Sequence, residues 1–503
     1  MRAVDKVVII GRDVAAWLAA NTIIRALSHT GVTVEVVELP SLLSAHDVYA
    51  SLPSLEAFHN LLGFEEDEVL QAAGGTYSLG QSFANFSRSR PAFFHGYGGH
   101  GTTIGRQPFF QFWIKARQAG LKVDFEDFSL NAAAAKQGRF FVPDDKINAF
   151  TKCDYAYHLS AQSYVQFLKA HALRRGVTTR TGRIFEARKD DAGYVTALAF
   201  SDGTEVVGDL FVDASGPESL LLGGAMAVAT DSWRRWFACN RTLTASADPL
   251  RSIPVYSQVR AITSGCLHLT PTQALTGLVY AFDSRVSKDD EALQTAAVVS
   301  GLRLRPGALV ADLAPGRRAR AWEKNVIGVG DAACIFDPVD NVGLHALQQS
   351  LAHLITLFPL DTHAPYERDE YNRNTQSAFE RLRDFQIAHY KLNRYVDSPY
   401  WDSLRDMAVP DTLAWKIELF RARGIVPLYD DETFENDSWL ASFLGHGVMP
   451  ESYDPLVDQS NDEAVISAFQ GVLGFIKEQV QAMSSHDAYL EIHAAQNTMS
   501  VRP

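Results

Sequence analysis

Cysteine is scarce in this chain: four residues in 503, Cys153, Cys239, Cys266 and Cys334, far apart and in no CxxC pair. Neither a zinc cluster nor a disulfide framework is expected, and a reducing cytosol fits best. An excess of basic charge is also missing. Lys and Arg number 46 against 59 Asp and Glu, a formal net charge of −13, so no stripe of cations is available to a phosphate backbone and nucleic acid is not an expected partner. Long apolar runs are absent as well. Nowhere do the ~18 uncharged apolar residues of a membrane span run consecutively, and the first apolar run, residues 7–10 after Asp5 and Lys6, is too short for a signal-peptide core. A cytoplasmic protein without membrane spans is the expectation. No internal repeat, low-complexity tract or linker stands out. What remains, 47% hydrophobic and 21% charged residues, is ordinary globular composition for a large core or two fused modules.

Residues 7–10, Val-Val-Ile-Ile, form a short β-branched run that ends at Gly11, and Ala15 to Ala20 then read as helix formers. A second, largely apolar run over 32–37 closes on Glu38, so the first 38 residues make one βαβ unit of dinucleotide-binding length. Helical spacing over 160–175 stops at Gly176, and strand-like runs follow at 196–200 and 209–213. A buried strand is predicted at 326–330 and a helix over 342–357. Aromatic-rich helices follow from about 378, with fraying expected in the last dozen or so residues.

The motifs VVIIGRDVAAW (7–17), FFHGYG (93–98), YAYHLSA (155–161), DLFVDASG (209–216), PGRR (315–318) and IGVGDAACIFDPVDNVGLH (327–345) run collinearly, and SPYW, VPDTLAWK and SWLASFLGHGVMPESYDP follow. Taken together this series resembles the flavin-dependent tryptophan halogenases over nearly the whole chain. The resemblance implies an α/β fold: a Rossmann-like FAD-binding module of the aromatic-monooxygenase type over 1–375, with interleaved substrate-binding segments at about 60–150 and 230–300. A helical C-terminal part, 376–503, would complete the substrate side. Members of that family take reduced FAD from a separate reductase and use oxygen and halide to make hypohalous acid. A lysine, assisted by a glutamate, then presents the oxidant to an aromatic substrate at a second site. A flavin reductase acting in trans, an aromatic small-molecule or peptide-borne substrate, and a homodimer are therefore implied.

Pyrophosphate binding needs small residues where the backbone meets the phosphates, and amides at a helix N-terminus. Gly11 meets that need. The second and third glycine positions are Asp13 and Ala16; Ala is tolerated, but an unpaired carboxylate at 13 would face a dianion. Arg12 is placed either to neutralise that acid or to contact phosphate, and a Rossmann-like turn kept for packing alone is the other reading. Glu38 reads either as a ribose acceptor or as an exposed strand-end acid. Gly330 and Asp331, with Pro338 and Gly343, resemble the second flavin motif of aromatic monooxygenases, Asp331 holding ribityl or ribose oxygens. The helix starting near Val342 would aim its amides at the flavin, and the same backbone at Val342 and Gly343 offers a place for chloride or bromide. A strand simply turning into a buried helix is the plainer alternative. By resemblance, Ile184 also falls among the cofactor-binding positions.

The departures concern chemistry. Ser78 stands where the family has its lysine, and a hydroxyl carries no positive charge and forms no stable haloamine. Its glutamate partner maps to Asp340, one methylene shorter, which reads as a general base or as a helix cap. The family's tryptophan pair falls at Cys266 and His268, leaving a more polar, roomier channel. His95 and Tyr97 match one aromatic wall of the substrate site, with Phe434 and Trp439 on the other side; core packing is the alternative for each. His95 and His100 in HGYGGHG lack a third nearby ligand, so no metal is expected.

Three functions fit these residues. The first is a divergent halogenase-like oxidoreductase using reduced FAD and oxygen on an indole-like substrate. The second is a flavin monooxygenase without the lysine, and the third a non-catalytic binding protein with weakened flavin binding.

Overall fold

A computed structural model describes residues 3–90, 92–144, 147, 152–182 and 184–492, apart from the side chains of 184 and 185. The chain divides into two compact units, and each draws on three separate stretches.

The first unit comprises Met1–Gly74, Leu159–Phe237 and Asp312–Arg381. Its six-stranded sheet runs in the order Trp322–Glu323, Val326–Gly328, Leu210–Ala214, Lys6–Gly11, Thr33–Glu38, Thr178–Thr181. Pairing is parallel except at the Trp322–Glu323 edge. The opening strand is flanked on both sides, which is why its β-branched run is apolar throughout rather than alternating. Val7, Val8, Ile9 and Ile10 are all fully buried. The helix Asp13–Leu27 presents Ala16, Ala19 and Ala20 to the interior. It is tied to the helix Ala161–Arg174 by the Asn21 amide, which donates to the Leu168 carbonyl at 2.8 Å. The strand and helix expected around 326–330 and 342–357 appear as Val326–Gly328 and Gly343–Thr356.

The second unit comprises Gly75–His158, Ala238–Ala311 and Leu382–Pro503. Six strands of a seven-stranded sheet lie wholly within it, in the order Arg241–Ala247, Thr276–Phe282, Gly265–Pro271, Ser257–Ile262, Gly80–Ala84, Ala92–Gly96. Its one parallel pair among these joins Ser257–Ile262 to Gly80–Ala84. Gly80 is required by the close approach of the last two strands: a Cβ there would lie 2.3 Å from the His95 carbonyl. The helices Pro399–Asp406, Asp411–Arg423, Asn436–Gly445 and Asp462–Ala482 form the C-terminal part. Residues 493–503, where fraying was expected, lie outside the described residues.

Candidate functional site

In the first unit, a cavity of about 430 Å³ opens at the carboxyl ends of the parallel strands, where ligands of open α/β sheets bind. Arg12 to Ala15, Leu42, Tyr49, Gly216, Gly330, Asp331 and Asn341 to Leu344 are among the residues that line it. Just before this lining, Gly11 packs so closely on the neighbouring strand that a Cβ would fall 2.5 Å from the Ala214 carbonyl oxygen, so no other residue fits between the two strands. Asp13 follows with φ at +55°, the left-handed backbone a glycine would adopt without cost and one that Asp tolerates better than most residues.

The Asp13 carboxylate is not unpaired. It accepts hydrogen bonds from the Ser41 hydroxyl at 2.5 Å and the Leu42 amide at 3.0 Å, fastening the turn to the loop that follows the second strand. Arg12, expected either to neutralise Asp13 or to meet phosphate, instead pairs with Glu218 at 2.7 Å. Among the described residues its buried Nε has no partner. Ala16 is wholly buried in the helix, so the third glycine position serves close packing. Glu38 receives the Lys169 ammonium on both carboxylate oxygens, each at 2.7 Å. The ammonium lies 5.2 Å from the centroid of the Trp17 ring. The acid at the strand end is thus an ion-paired group, and a ribose hydroxyl would share it with Lys169. Ile184 opens the strand Ile184–Lys189, and its side chain lies outside the described residues.

On the opposite side of the cavity, Gly330 has φ +59° and approaches the helix Asp13–Leu27 so closely that a Cβ would sit 3.2 Å from that of Ala15. Asp331 reaches the solvent-exposed mouth, yet the protein surrounding that opening raises its carboxyl to about 6. Tyr49 is pushed well above the usual phenol value by burial first, then by Asp13, Asp47 and Asp331. The loop 337–342 is held by a hydrogen bond from the Val339 amide to Asp337 at 3.0 Å, and Pro338 lines the cavity beside it. Asp340 is buried at φ +65°, followed by Asn341 at +54°, and these two turns deliver the N-terminus of the helix Gly343–Thr356 to the cavity. A Cβ built on Gly343 meets nothing within 4 Å.

One anchor was quoted in the sequence without a role. Asp213, fully buried at the end of a central strand, accepts from the Ser215 amide and hydroxyl and from the Leu221 and Leu222 amides, at 2.6–3.1 Å. It shapes the loop that brings Gly216 and Pro217 to the cavity.

These features fit a flavin dinucleotide. The turn at Gly11, the buried guanidinium of Arg12 and the positive end of a helix at open space are what its phosphates and ring require. Asp13, turned onto residues 41 and 42, leaves the backbone of the turn in the shape glycine would give it.

In the second unit, strand pairing sets two rows on one sheet face: Ser257, Gln81 and His95 lie side by side, and Val259, Phe83 and Phe93 form the next row. Tyr97 continues the face, its amide donating to the Leu79 carbonyl, while the Leu79 amide donates to Val255. The His95 ring lies 5.8 Å from Phe434 and 5.5 Å from Phe385. Phe385 stacks on Phe434 at 3.8 Å and meets the edge of Trp439 at 4.8 Å. Phe385, which the sequence reading passed over, thus joins three of the four residues expected as aromatic walls, and Tyr97 meets the His95 ring at 6.2 Å. Lys416 and Glu432 were passed over too: their buried ion pair brackets Trp439, whose indole N–H donates to Glu432 at 3.2 Å while the ammonium stands 4.1 Å from the ring centroid. Ser78 is buried on the strand Thr76–Ser78, and its hydroxyl donates to the Gly80 carbonyl at 3.1 Å. Cys266 and His268 are buried within the sheet. His100 pairs with Asp437 at 2.9 Å and stacks on Phe125. No cluster of three or more metal-ligating side chains occurs among the described residues, and no helix among them is long and apolar enough to cross a membrane.

A parallel sheet with a glycine turn and a second loop aimed at one cavity defines a dinucleotide-binding oxidoreductase fold. The family model for tryptophan halogenase matches residues 6–462, and the chain belongs to that family. It is 25% identical to the tryptophan 6-halogenase ThaL of Streptomyces albogriseolus, over 98% of this chain and 99% of that protein. Identity to the tryptophan 7-halogenase KtzQ of Kutzneria sp. (strain 744) is 26%, over 97% and 98%. Among solved structures, the flavin-dependent halogenase BrvH from Brevundimonas sp. BAL3 superposes with a TM-score of 0.91 at 31% identity, covering 97% of this chain and 99% of that one. A flavin-dependent halogenase from Xanthomonas campestris gives 0.93 at 29% identity, covering 98% and 99%.

Proposed function

We propose that this chain is a flavoprotein oxidoreductase that uses reduced FAD, delivered by a separate reductase, and oxygen to modify an aromatic, indole-like substrate. The observation that carries this reading is the cavity at the Gly11 turn, faced by the Gly330 loop and the N-terminus of the helix Gly343–Thr356. In that arrangement Gly11, Arg12 and Gly330 hold the dinucleotide, and the bound flavin supplies the oxidising chemistry. The amides at Val342 and Gly343 stabilise negative charge on the ring side and offer chloride or bromide a backbone site. Pro338 and Asp331 complete the wall.

At the substrate side His95, Tyr97, Phe434 and Trp439 give a flat ligand flat surroundings. By the resemblance, the positions of the family's lysine and glutamate are held by Ser78, in the second unit, and Asp340, in the first. The Ser78 hydroxyl is already engaged with the Gly80 carbonyl and has no charge to offer, which favours a second reading in which oxygen rather than halogen reaches the substrate.

The test has two stages. Titration with oxidised and reduced FAD, followed by absorbance and fluorescence, should give saturable binding of both; absence of binding leaves only a non-catalytic scaffold. Turnover of indole with supplied reduced FAD and oxygen, with and without bromide, then separates the readings. A halide-independent oxygenated product supports the second reading, and a brominated product the first.

A further inference from the structure

The row Ser257, Gln81, His95 is polar, although the paired row beside it, Val259, Phe83 and Phe93, is apolar. Gln81 is 1% exposed and Ser257 2%. Among the described residues, neither the amide nitrogen nor the amide oxygen of Gln81 has a hydrogen-bond partner, and nor has the Ser257 hydroxyl. Buried polar groups in folded proteins are nearly always satisfied, because removing them from water without replacing the lost hydrogen bonds is costly. A leucine or valine at 81 and an alanine at 257 would suit the packing better. Two adjacent side chains left unsatisfied in one register row, beside a histidine that touches two phenylalanine rings, mark a place where the partner comes from outside the chain.

We propose that Gln81 and Ser257 are specificity-determining residues that recognise the polar edge of the aromatic substrate. The inference rests on the reading that this sheet face takes that substrate, and it adds the ligand's chemistry. Because the Gln81 amide offers a donor and an acceptor together, the matching ligand carries an acceptor and a donor along one edge, as an indole carboxamide does. A hydrocarbon of the same outline fills the space but leaves both groups unmatched.

Calorimetric titration of the full-length protein, without flavin, tests this with indole-3-carboxamide and with indene. Gln81→Met should weaken carboxamide binding about tenfold, the value of one good neutral hydrogen bond. Indene binding should be unchanged and the melting temperature equal to or above that of the natural protein. Ser257→Ala, the smaller change, should weaken the carboxamide about threefold with the same thermal behaviour. Unchanged carboxamide binding in both variants overturns the proposal, as does equal loss for both probes, a natural protein that binds neither, or melting temperatures that fall by several degrees. A protein that binds the carboxamide as described but no FAD would overturn the oxidoreductase reading alone.

Discussion

Replacing Asp13 by Asn separates the charge of this residue from its shape. Asn tolerates the left-handed backbone at φ +55° and keeps an amide oxygen to accept from the Leu42 N–H, so the turn and its loop should stay in place. Only the negative charge disappears. Asp13 lines the cavity at a partly exposed position, where a pair of like charges ~4 Å apart in water-like surroundings repel by about 1 kcal/mol. Against the two charges of a pyrophosphate the repulsion is about 1–2 kcal/mol, or about 5- to 30-fold in Kd. FAD should bind Asp13→Asn tighter by that factor, the gain shrinking as salt is raised, whereas riboflavin, which has no phosphate, should bind both proteins alike. Asp13→Ala makes the opposite point. It places a Cβ residue with no polar anchor at a left-handed position, at ~1–2 kcal/mol, and abandons two hydrogen bonds worth about 1 kcal/mol each, so its melting temperature should fall. Fluorescence titration with FAD, FMN and riboflavin at two salt concentrations reads the first effect and thermal melting the second. Equal tightening of FAD and riboflavin in Asp13→Asn, or none for FAD, would show that this carboxylate does not face the phosphates.

The protein surrounding the cavity mouth raises Asp331 to about 6, so its protonated form is favoured in the folded protein. The stability it contributes is complete below the ordinary carboxyl value near 4 and is lost as pH rises through about 6. Denaturant melts should therefore show Asp331→Asn gaining on the natural protein between pH 4 and 7. FAD affinity of the natural protein should fall over the upper part of the same window, and the variant should lack that fall. Asp213→Asn places amide hydrogens against the amides that now donate to the carboxylate; a loss of about 2–4 kcal/mol by chemical denaturation is expected, and a neutral result would contradict the anchoring role. On the proposed reading Asp340 stands for the family's glutamate and is a methylene shorter, so Ser78→Lys alone should yield no brominated indole; detection of that product by mass spectrometry would refute this.

The backbone of the cofactor side was legible because it is written locally. The β-branched run, Gly11, the helix formers after it and the acid at 38 lie within one continuous stretch, and Gly330 with the helix after it repeats the pattern. Partners distant in sequence were not legible. Nothing near Asp13 names Ser41 and Leu42, nor Glu218 as the partner of Arg12; Lys169 reaches Glu38 across 131 residues. Each pairing depends on where a loop or helix returns in the fold. The aromatic cluster of the second unit was harder still. The resemblance pointed to His95, Tyr97, Phe434 and Trp439, but Phe385, which joins three of these rings, looks like any apolar residue of a long helix. Gln81 in GQSFA reads as the polar half of an alternating strand, and only the register beside Ser257 shows that it faces inward.

The positions that diverge from the family pattern fall into two physical kinds. At Asp13 the altered side chain sits on a left-handed backbone, and Asp340 and Asn341 adopt the same conformation before the helix at Gly343; all three belong to the few non-glycine types that accept it. What those segments offer a cofactor is amide groups and a helix end, which do not depend on the side chain, so the cradle tolerates such replacements. On the proposed reading Ser78 stands where the family has its lysine, and no backbone group can supply the positive charge and nucleophilic nitrogen of a lysine. Divergence of the first kind, on the same reading, adjusts how tightly a flavin is held, whereas the second kind bears on which atom is transferred. Cofactor binding and halogen transfer on that reading part company in this protein: variants on the cradle should move FAD affinity by modest factors, while no change confined to the cradle should produce a brominated indole.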